Sequence, residues 1–158
     1  IVLRLTNVYG SRMALNAKAQ GFLGVYLRNA LGGQPIQIRG GGKQLRDPVH
    51  VSDVVDAFLL AGLASGTSRV FNVGGPEALE IRQIAKIAAA AGGCEILWRE
   101  FDYAEKAIDI GSYRANVSRI AREFKWKPRI RFAEGFPAVL RSYKNEAQLV
   151  TRPAMAVS

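Results

Sequence analysis

Residues 40–53, Gly-Gly-Gly-Lys-Gln-Leu-Arg-Asp-Pro-Val-His-Val-Ser-Asp, constrain the fold most, because they dictate several local structures in a fixed order. The three glycines reach backbone conformations closed to other residues, so they predict a sharp turn that presents Arg46 beside a ligand. Val49, His50 and Val51 then read as a short strand, and Ser52 or Asp53 can cap the helix that follows. In that helix Val54, Phe58 and Gly62 form one line, and Val55, Leu59 and Leu63 form the next.

The flanking sequence repeats the same strand-then-helix grammar. Residues 1–10 are apolar almost throughout and end at Gly10, the pattern of a buried strand in a mostly parallel sheet. No initiator methionine or cap precedes them, so the chain is expected to be a fragment that opens inside an apolar core. From about residue 17 to 31, Leu23, Tyr26, Leu27, Ala30 and Leu31 build one helical face, which Gly32 and Gly33 end. Residues 36–39 alternate as a strand, residues 69–75 read as a second buried strand, and residues 80–91 form an alanine-rich helix with Ile81, Ile84, Ala85 and Ala88 inward.

Ile96, Leu97 and Trp98 make a further short strand, and residues 100–114 read as an irregular polar loop or flap. Asn116 can cap a helix that places Val117, Ile120, Ala121 and Phe124 on one face, until Trp126-Lys127-Pro128 stops it. A last helix over about residues 133–146 turns Phe136, Val139, Leu140 and Tyr143 inward, and Pro137 moves its expected start toward Gly135. Strands alternating with helices across short connections imply an α/β fold.

The 158 residues have the length of one domain, and their 49% hydrophobic content allows a sizeable core. Every apolar run is shorter than the roughly 18 residues of a membrane span, and no charged-then-apolar leader is visible, so a cytoplasmic location is expected. Cys94 has no second cysteine to pair with, and His50 is the sole histidine, so no structural metal is expected. The net charge of +9 invites a nucleic-acid reading, but the basic residues are scattered and no Lys/Arg run interleaves with aromatics.

Three segments carry a further, ordered pattern: Leu3-Arg4-Leu5-Thr6-Asn7-Val8-Tyr9-Gly10, then residues 40–53 with Arg46-Asp47, then Phe71-Asn72-Val73-Gly74-Gly75. Residues 109–120, Asp-Ile-Gly-Ser-Tyr-Arg-Ala-Asn-Val-Ser-Arg-Ile, and Phe124-Lys125-Trp126-Lys127-Pro128 complete it. In this order, over roughly residues 1–145, the chain resembles the carboxy-terminal half of extended short-chain dehydrogenases/reductases, the NAD-dependent nucleotide-sugar epimerases and dehydratases. The resemblance implies the later part of a Rossmann-type fold with its smaller substrate-binding subdomain. Residues 1–148 would form that half, with strands at about 1–9 and 69–74 in the Rossmann sheet, and residues 149–158 would be a tail. Implied partners are a nucleotide-diphosphate sugar, the missing amino-terminal NAD-binding half and, for the parent enzyme, a second copy; the implied cofactor is NAD, with NADP left open.

The resemblance also assigns roles. Asn7 and Arg46 would contact the sugar-nucleotide diphosphate, and the backbone of Leu5 and Thr6 would lie near the nicotinamide. Gln37 and Arg39 would bracket the base, Phe22 would lie near the sugar-nucleotide, Asp109 near the ribose or a phosphate, and Lys106 where relatives place a second phosphate-binding arginine. The residues alone leave alternatives open: a strand-end turn for Asn7, an ion pair from Arg46 to Asp47 or Asp53, an edge strand for Gln37 and Arg39, surface charge for Asp109 and Lys106. A non-catalytic nucleotide-sugar-binding or regulatory module and a basic nucleic-acid binder are the competing functions.

His50 is expected to pack or hydrogen-bond beside the strand rather than to catalyse, and Asp53 to cap its helix. Ser11, Pro48, Asn116 and Lys125 depart from the family's usual proline, aromatic, aspartate and glycine. Gln44 and Gln37 stand where a phosphate-binding P-loop needs a hydroxyl and a glycine. The chain contains no Gly-x-x-Gly-x-x-Gly turn and no Tyr-x-x-x-Lys pair, the family's cofactor cradle and catalytic base, so no catalytic residue is assigned and the isolated chain is expected to be inactive.

Overall fold

A computed structural model describes residues 1–15, 21–65 and 69–151. Strands β1 (Val2–Leu5), β2 (Val8–Tyr9), β3 (Ile36–Arg39), β4 (Leu45–Arg46), β5 (Val49–His50), β6 (Val70–Val73), β7 (Leu79–Glu80) and β8 (Ile96–Arg99) are short and pair two by two. The pairs β1 with β6, β2 with β5 and β3 with β8 are parallel, and β4 with β7 is antiparallel. Helices α1 (Phe22–Leu31), α2 (Val51–Leu63), α3 (Ile81–Gly92), α4 (Tyr103–Ile108), α5 (Ser118–Phe124) and α6 (Phe132–Thr151) connect or follow them. This is an α/β fold, and no helix among the described residues is long and apolar enough to cross a membrane.

The interior divides into two clusters. In the first, Leu23, Tyr26 and Leu27 of α1, Ile84, Ala85 and Ala88 of α3, and Phe136, Val139 and Leu140 of α6 close over Ile36 and Ile38 of β3. In the second, Val49, Val54, Ala57, Phe71, Val73, Ile120 and Trp126 gather β5, β6, α2 and α5. The turn at Asp47 and Pro48 is fixed against strand ends on both sides: its Asp47 carbonyl accepts from the Thr6 hydroxyl at 2.9 Å and from the Gly75 amide at 3.2 Å. Glycine is required at that junction, since a Cβ on Gly75 would lie 1.9 Å from the Pro48 carbonyl oxygen.

The structure corrects several element boundaries. The first strand is broken into β1 and β2, and β1 is not buried: Val2 is 54% and Leu5 41% exposed, because β1 has one partner strand among the described residues. Helix α1 starts at Phe22; the expected start near residue 17 lies among residues 16–20, outside the described ones. Strand β5 ends at His50, whose Nδ1 accepts the Ser52 amide at 3.2 Å, so the cap of α2 is His50 and not Ser52 or Asp53. Asp53 is buried and accepts the Ile130 amide at 3.0 Å, and its carbonyl accepts the Trp126 indole N–H at 3.0 Å; its role is to hold α2 to the chain before α6.

Residues 100–114 contain a helix, α4, within the expected loop. Asn116 lies one residue before the Val117 cap of α5, yet its side chain still accepts the Ser118 amide at 3.0 Å. Helix α6 starts at Phe132, ahead of the expected 133–135, because Glu77 from a distant loop accepts the Phe132 amide at 3.3 Å and caps it in trans along the chain. It also runs through Thr151, past the expected boundary at 148, and residues 152–158 of the expected tail lie outside the described ones.

Candidate functional site

Strand β3 hands the chain to a single 3-10 turn, Gly40–Gly42, in which all three glycines take positive φ, of 57°, 74° and 62°. Side chains at these φ values are strained, so only glycine makes three such steps in succession at little cost. The turn also demands space: a Cβ on Gly40 would strike the Phe101 ring, and one on Gly42 would meet Ile38 and the Arg82 backbone. The chain then re-enters as β4, which carries Arg46 on the far wall of the cleft from α1.

That cleft has a volume of about 560 Å³. Helix α1 contributes Phe22, Val25, Tyr26, Arg28 and Asn29; β3 contributes Gln37 and Arg39; Gln44 and Arg46 follow the glycine turn; Ile81, Phe101 and Asp109 close the remaining side. Phe22 meets Tyr26 edge to face at 5.5 Å, which gives one wall an aromatic surface. Tyr26 donates to the Gln37 carbonyl at 3.1 Å, and burial pushes its phenol up to about 12, so it stays neutral and structural.

The charged side chains that line the cleft are Arg28, Arg39, Arg46 and Asp109. Arg46 is only 11% exposed. Its Nη1 donates to the Leu45 carbonyl at 2.8 Å and to the Gly111 carbonyl at 2.5 Å, while Nη2 lies 3.9 Å from Asp109. The alternative of an ion pair from Arg46 to Asp47 or Asp53 is not formed among the described residues; Asp109 is the carboxylate it approaches. A guanidinium anchored by one nitrogen, with the other at long range from its carboxylate, is positioned to take a phosphate oxygen pair.

The structure therefore brings Phe22, Gln37, Arg39, Arg46 and Asp109 to one cleft. Asn7, Leu5 and Thr6 line a smaller adjoining recess of about 260 Å³ with Arg46, Ile110 and Tyr113, so Arg46 borders both spaces. The Thr6 amide and hydroxyl are already committed to the Val73 and Asp47 carbonyls, at 3.0 Å and 2.9 Å. Lys106 sits exposed on α4 and does not line the cleft.

Arg28, Gln44 and Phe101 line the cleft, although the sequence had given none of them a binding role. For Arg28 a usable signal existed, since a cation in the last turn of an otherwise apolar helix borders the Phe22 face. Phe101 had none, because its place depends on the glycine turn some 60 residues earlier in the chain.

Two groups at the junction of β2 and β5 have displaced protonation equilibria. Burial and the carboxylates of Asp53, Glu77 and Glu134 push the Tyr9 phenol far above its usual range. Burial lowers His50, against the opposing pull of Asp53, which keeps its ring neutral and suited to accepting the Ser52 amide. Among the described residues no group of three His, Cys, Asp or Glu side chains could hold a metal ion.

Comparison with known proteins bears on the family and the fold. Residues 1–74 match the NAD dependent epimerase/dehydratase family. The UDP-glucose 4-epimerase of Mycolicibacterium smegmatis is 32% identical over 143 residues, covering 90% of this chain and 44% of that protein. The UDP-glucose 4-epimerase of Thermotoga maritima, solved with UDP-glucose, superposes with a TM-score of 0.79 at 26% identity, over 92% of this chain and 46% of that one. MoeE5, solved with UDP-glucuronic acid and NAD, gives a TM-score of 0.75 at 27% identity, over 91% and 46%. The chain thus spans less than half the length of the relatives it matches. Over residues 1–74 the chain carries the sequence of the NAD-dependent epimerase/dehydratase family, and its α/β fold is of the kind these relatives share.

Proposed function

We propose that this chain is the nucleotide-sugar-binding part of an NAD-dependent nucleotide-sugar epimerase or dehydratase, its cleft holding the nucleoside diphosphate. The observation that carries the reading is the convergence of Phe22, Gln37, Arg39, Arg46 and Asp109 on one positively charged cleft. An aromatic wall suits a base, and the Arg46 guanidinium, with Arg28 also on the lining, suits a phosphate-bearing ligand. Asn7, across the adjoining recess from Arg46, would complete the diphosphate contacts.

The residues of this chain do not fit NAD by themselves. Its glycine turn leads from a strand into another strand, not into a helix N-terminus that could cradle a pyrophosphate. Leu5 and Thr6 offer at most an edge for the nicotinamide end, and the Thr6 amide and hydroxyl are already bonded. No proton or hydride step is therefore assigned to this chain, and the isolated polypeptide is expected to show no turnover.

A second polypeptide segment is the natural source of that chemistry. The outer stripe of α2 exposes Val55, Phe58, Leu59, Leu60 and Leu63, and the neighbouring sheet exposes Val2, Leu5 and Val70. An apolar surface of this kind marks an interaction site, and an amino-terminal NAD-binding half is the occupant we propose. A stand-alone nucleotide-sugar-binding module is the second reading.

Calorimetric titration with UDP tests the binding role. Arg46→Met should weaken binding by about 10- to 100-fold, the loss of a charged hydrogen-bonding group; unchanged affinity would discard the diphosphate assignment. Addition of the amino-terminal half of a matched relative, followed by assay of epimerase and dehydratase turnover, separates the enzyme from the binding module.

A further inference from the structure

We infer that Gln44 is the positioning residue of the cleft: it holds the Asp109 carboxylate away from Arg46 and so keeps that guanidinium free for an anion. The inference rests on the nucleotide reading for its ligand, but not for its geometry. Gln44 donates from Nε2 to Asp109 Oδ2 at 2.9 Å, whereas the nearest Arg46 nitrogen stands 3.9 Å from Asp109 Oδ1, beyond hydrogen-bond range. The same Oδ1 is held from the other side by the Gly111 amide at 3.3 Å. Asp109 is thus shared between an amide side chain and a backbone N–H, although a cation of opposite charge lies alongside.

The Gln44 backbone makes this hold rigid. Its carbonyl accepts the Ile81 amide at 2.9 Å, which ties the residue to the start of α3. Its Oε1 is buried with no partner. An unpartnered buried acceptor is unfavourable, and an apolar side chain of the same length would avoid it. Rotating the amide would bring Oε1 against the Asp109 carboxylate, so the observed orientation is the one that serves Asp109.

Without the Gln44 donor, Asp109 has one strong option: to swing onto Arg46 and close the ion pair. A ligand phosphate would then have to displace a carboxylate from Arg46. Arg28 and Arg39, the other charged groups of the cleft, would not relieve that competition at Arg46 itself.

The test is a double-mutant cycle with UDP as the probe, in the full chain. Gln44→Met should lower UDP affinity about ten-fold, the size of one charge-assisted hydrogen bond. In an Asp109→Ala background the same Gln44→Met change should alter affinity less than about two-fold, because nothing remains for Gln44 to hold back. An equal loss in both backgrounds, or no loss in a folded Gln44→Met protein, overturns the inference. If Gln44→Met does not fold, Gln44→Ser runs the same cycle.

A ligand-free measurement keeps this distinct from the nucleotide reading. Gln44→Met should speed hydrogen exchange at the Gly111 amide, which depends on where Asp109 sits, and leave the α3 amides unchanged. Failure of the unaltered chain to bind UDP would count against the proposed function alone, whereas an unchanged Gly111 exchange rate would sink the positioning role.

Discussion

The two clusters of this molecule are built from similar residues but end differently. The cluster under α1, α3 and α6 is closed: Leu27, Ile36, Ile38, Ile84, Phe132 and Phe136 are all at most 1% exposed. The cluster under α2 and α5 is closed on one side only. Val54 and Ala57 are buried on the inner stripe of α2, while Phe58 is 53%, Leu59 60% and Leu63 86% exposed on the outer one. A helix that is apolar on both sides belongs between two layers, and here one layer is present. The cleft lies on the closed side, where its walls can be rigid; the open side carries the apolar surface for which we propose a partner segment.

The largest test of that contrast compares two phenylalanines. Phe136→Ala should cost about 3–5 kcal/mol in chemical denaturation, the usual result of emptying a filled core. Phe58→Ser should change stability by no more than about 0.5 kcal/mol, and should reduce self-association seen by sedimentation. Equal losses at the two positions would break the comparison.

A second test lies at the junction between the clusters. Asp47 is buried, with Oδ2 accepting the Ala115 amide at 2.9 Å and Oδ1 unpartnered. Burial raises its carboxyl above the ordinary value, opposed by the hydrogen bond from the Ala115 amide and by the charge of Arg114. Because the folded state holds the proton more tightly than the unfolded state, this group lowers stability as pH rises from the unfolded value through the folded one. Asp47→Asn should remove that part of the slope when denaturation curves are compared from pH 4 to pH 7. An identical slope in the variant would mean that the junction is not electrostatically strained.

The smallest effect is expected at Tyr9, in the closed cluster. Its hydroxyl is buried without a partner, close to where a Cβ on Gly135 would fall, and its ring packs edge-on against His50 and Phe132. Tyr9→Phe keeps the ring contacts and removes the orphan hydroxyl, so it should raise stability by about 1 kcal/mol. A loss instead would show that the closed cluster depends on a polar contact at this point.

Much of the fold was legible. The repeats at Leu23, Tyr26, Leu27 and Ala30 and at Ile84, Ala85 and Ala88 identify helical faces, and those faces are buried as expected. For α2 the same reasoning stops short, since periodicity shows that Val55, Leu59 and Leu63 share a side but not whether anything covers it. Caps were legible only where they are local: Asn116 binds the start of α5, but α6 is capped by Glu77, 55 residues away. In the cleft, the order of signals placed Arg46, while Arg28, Gln44 and Phe101 emerged only when distant segments met.

The sequence by itself determined the secondary structure in outline, the positive-φ glycine turn before Arg46, and the lack of a dinucleotide cradle and a Tyr-x-x-x-Lys pair. These follow from backbone sterics, side-chain periodicity and residue identity, all of them short-range. Only the tertiary structure decided that Arg46 lies 3.9 Å from Asp109, that Gln44 donates to the same carboxylate, and that one face of α2 is left bare. Those facts depend on which groups meet across long loops, and no single stretch of chain contains that information.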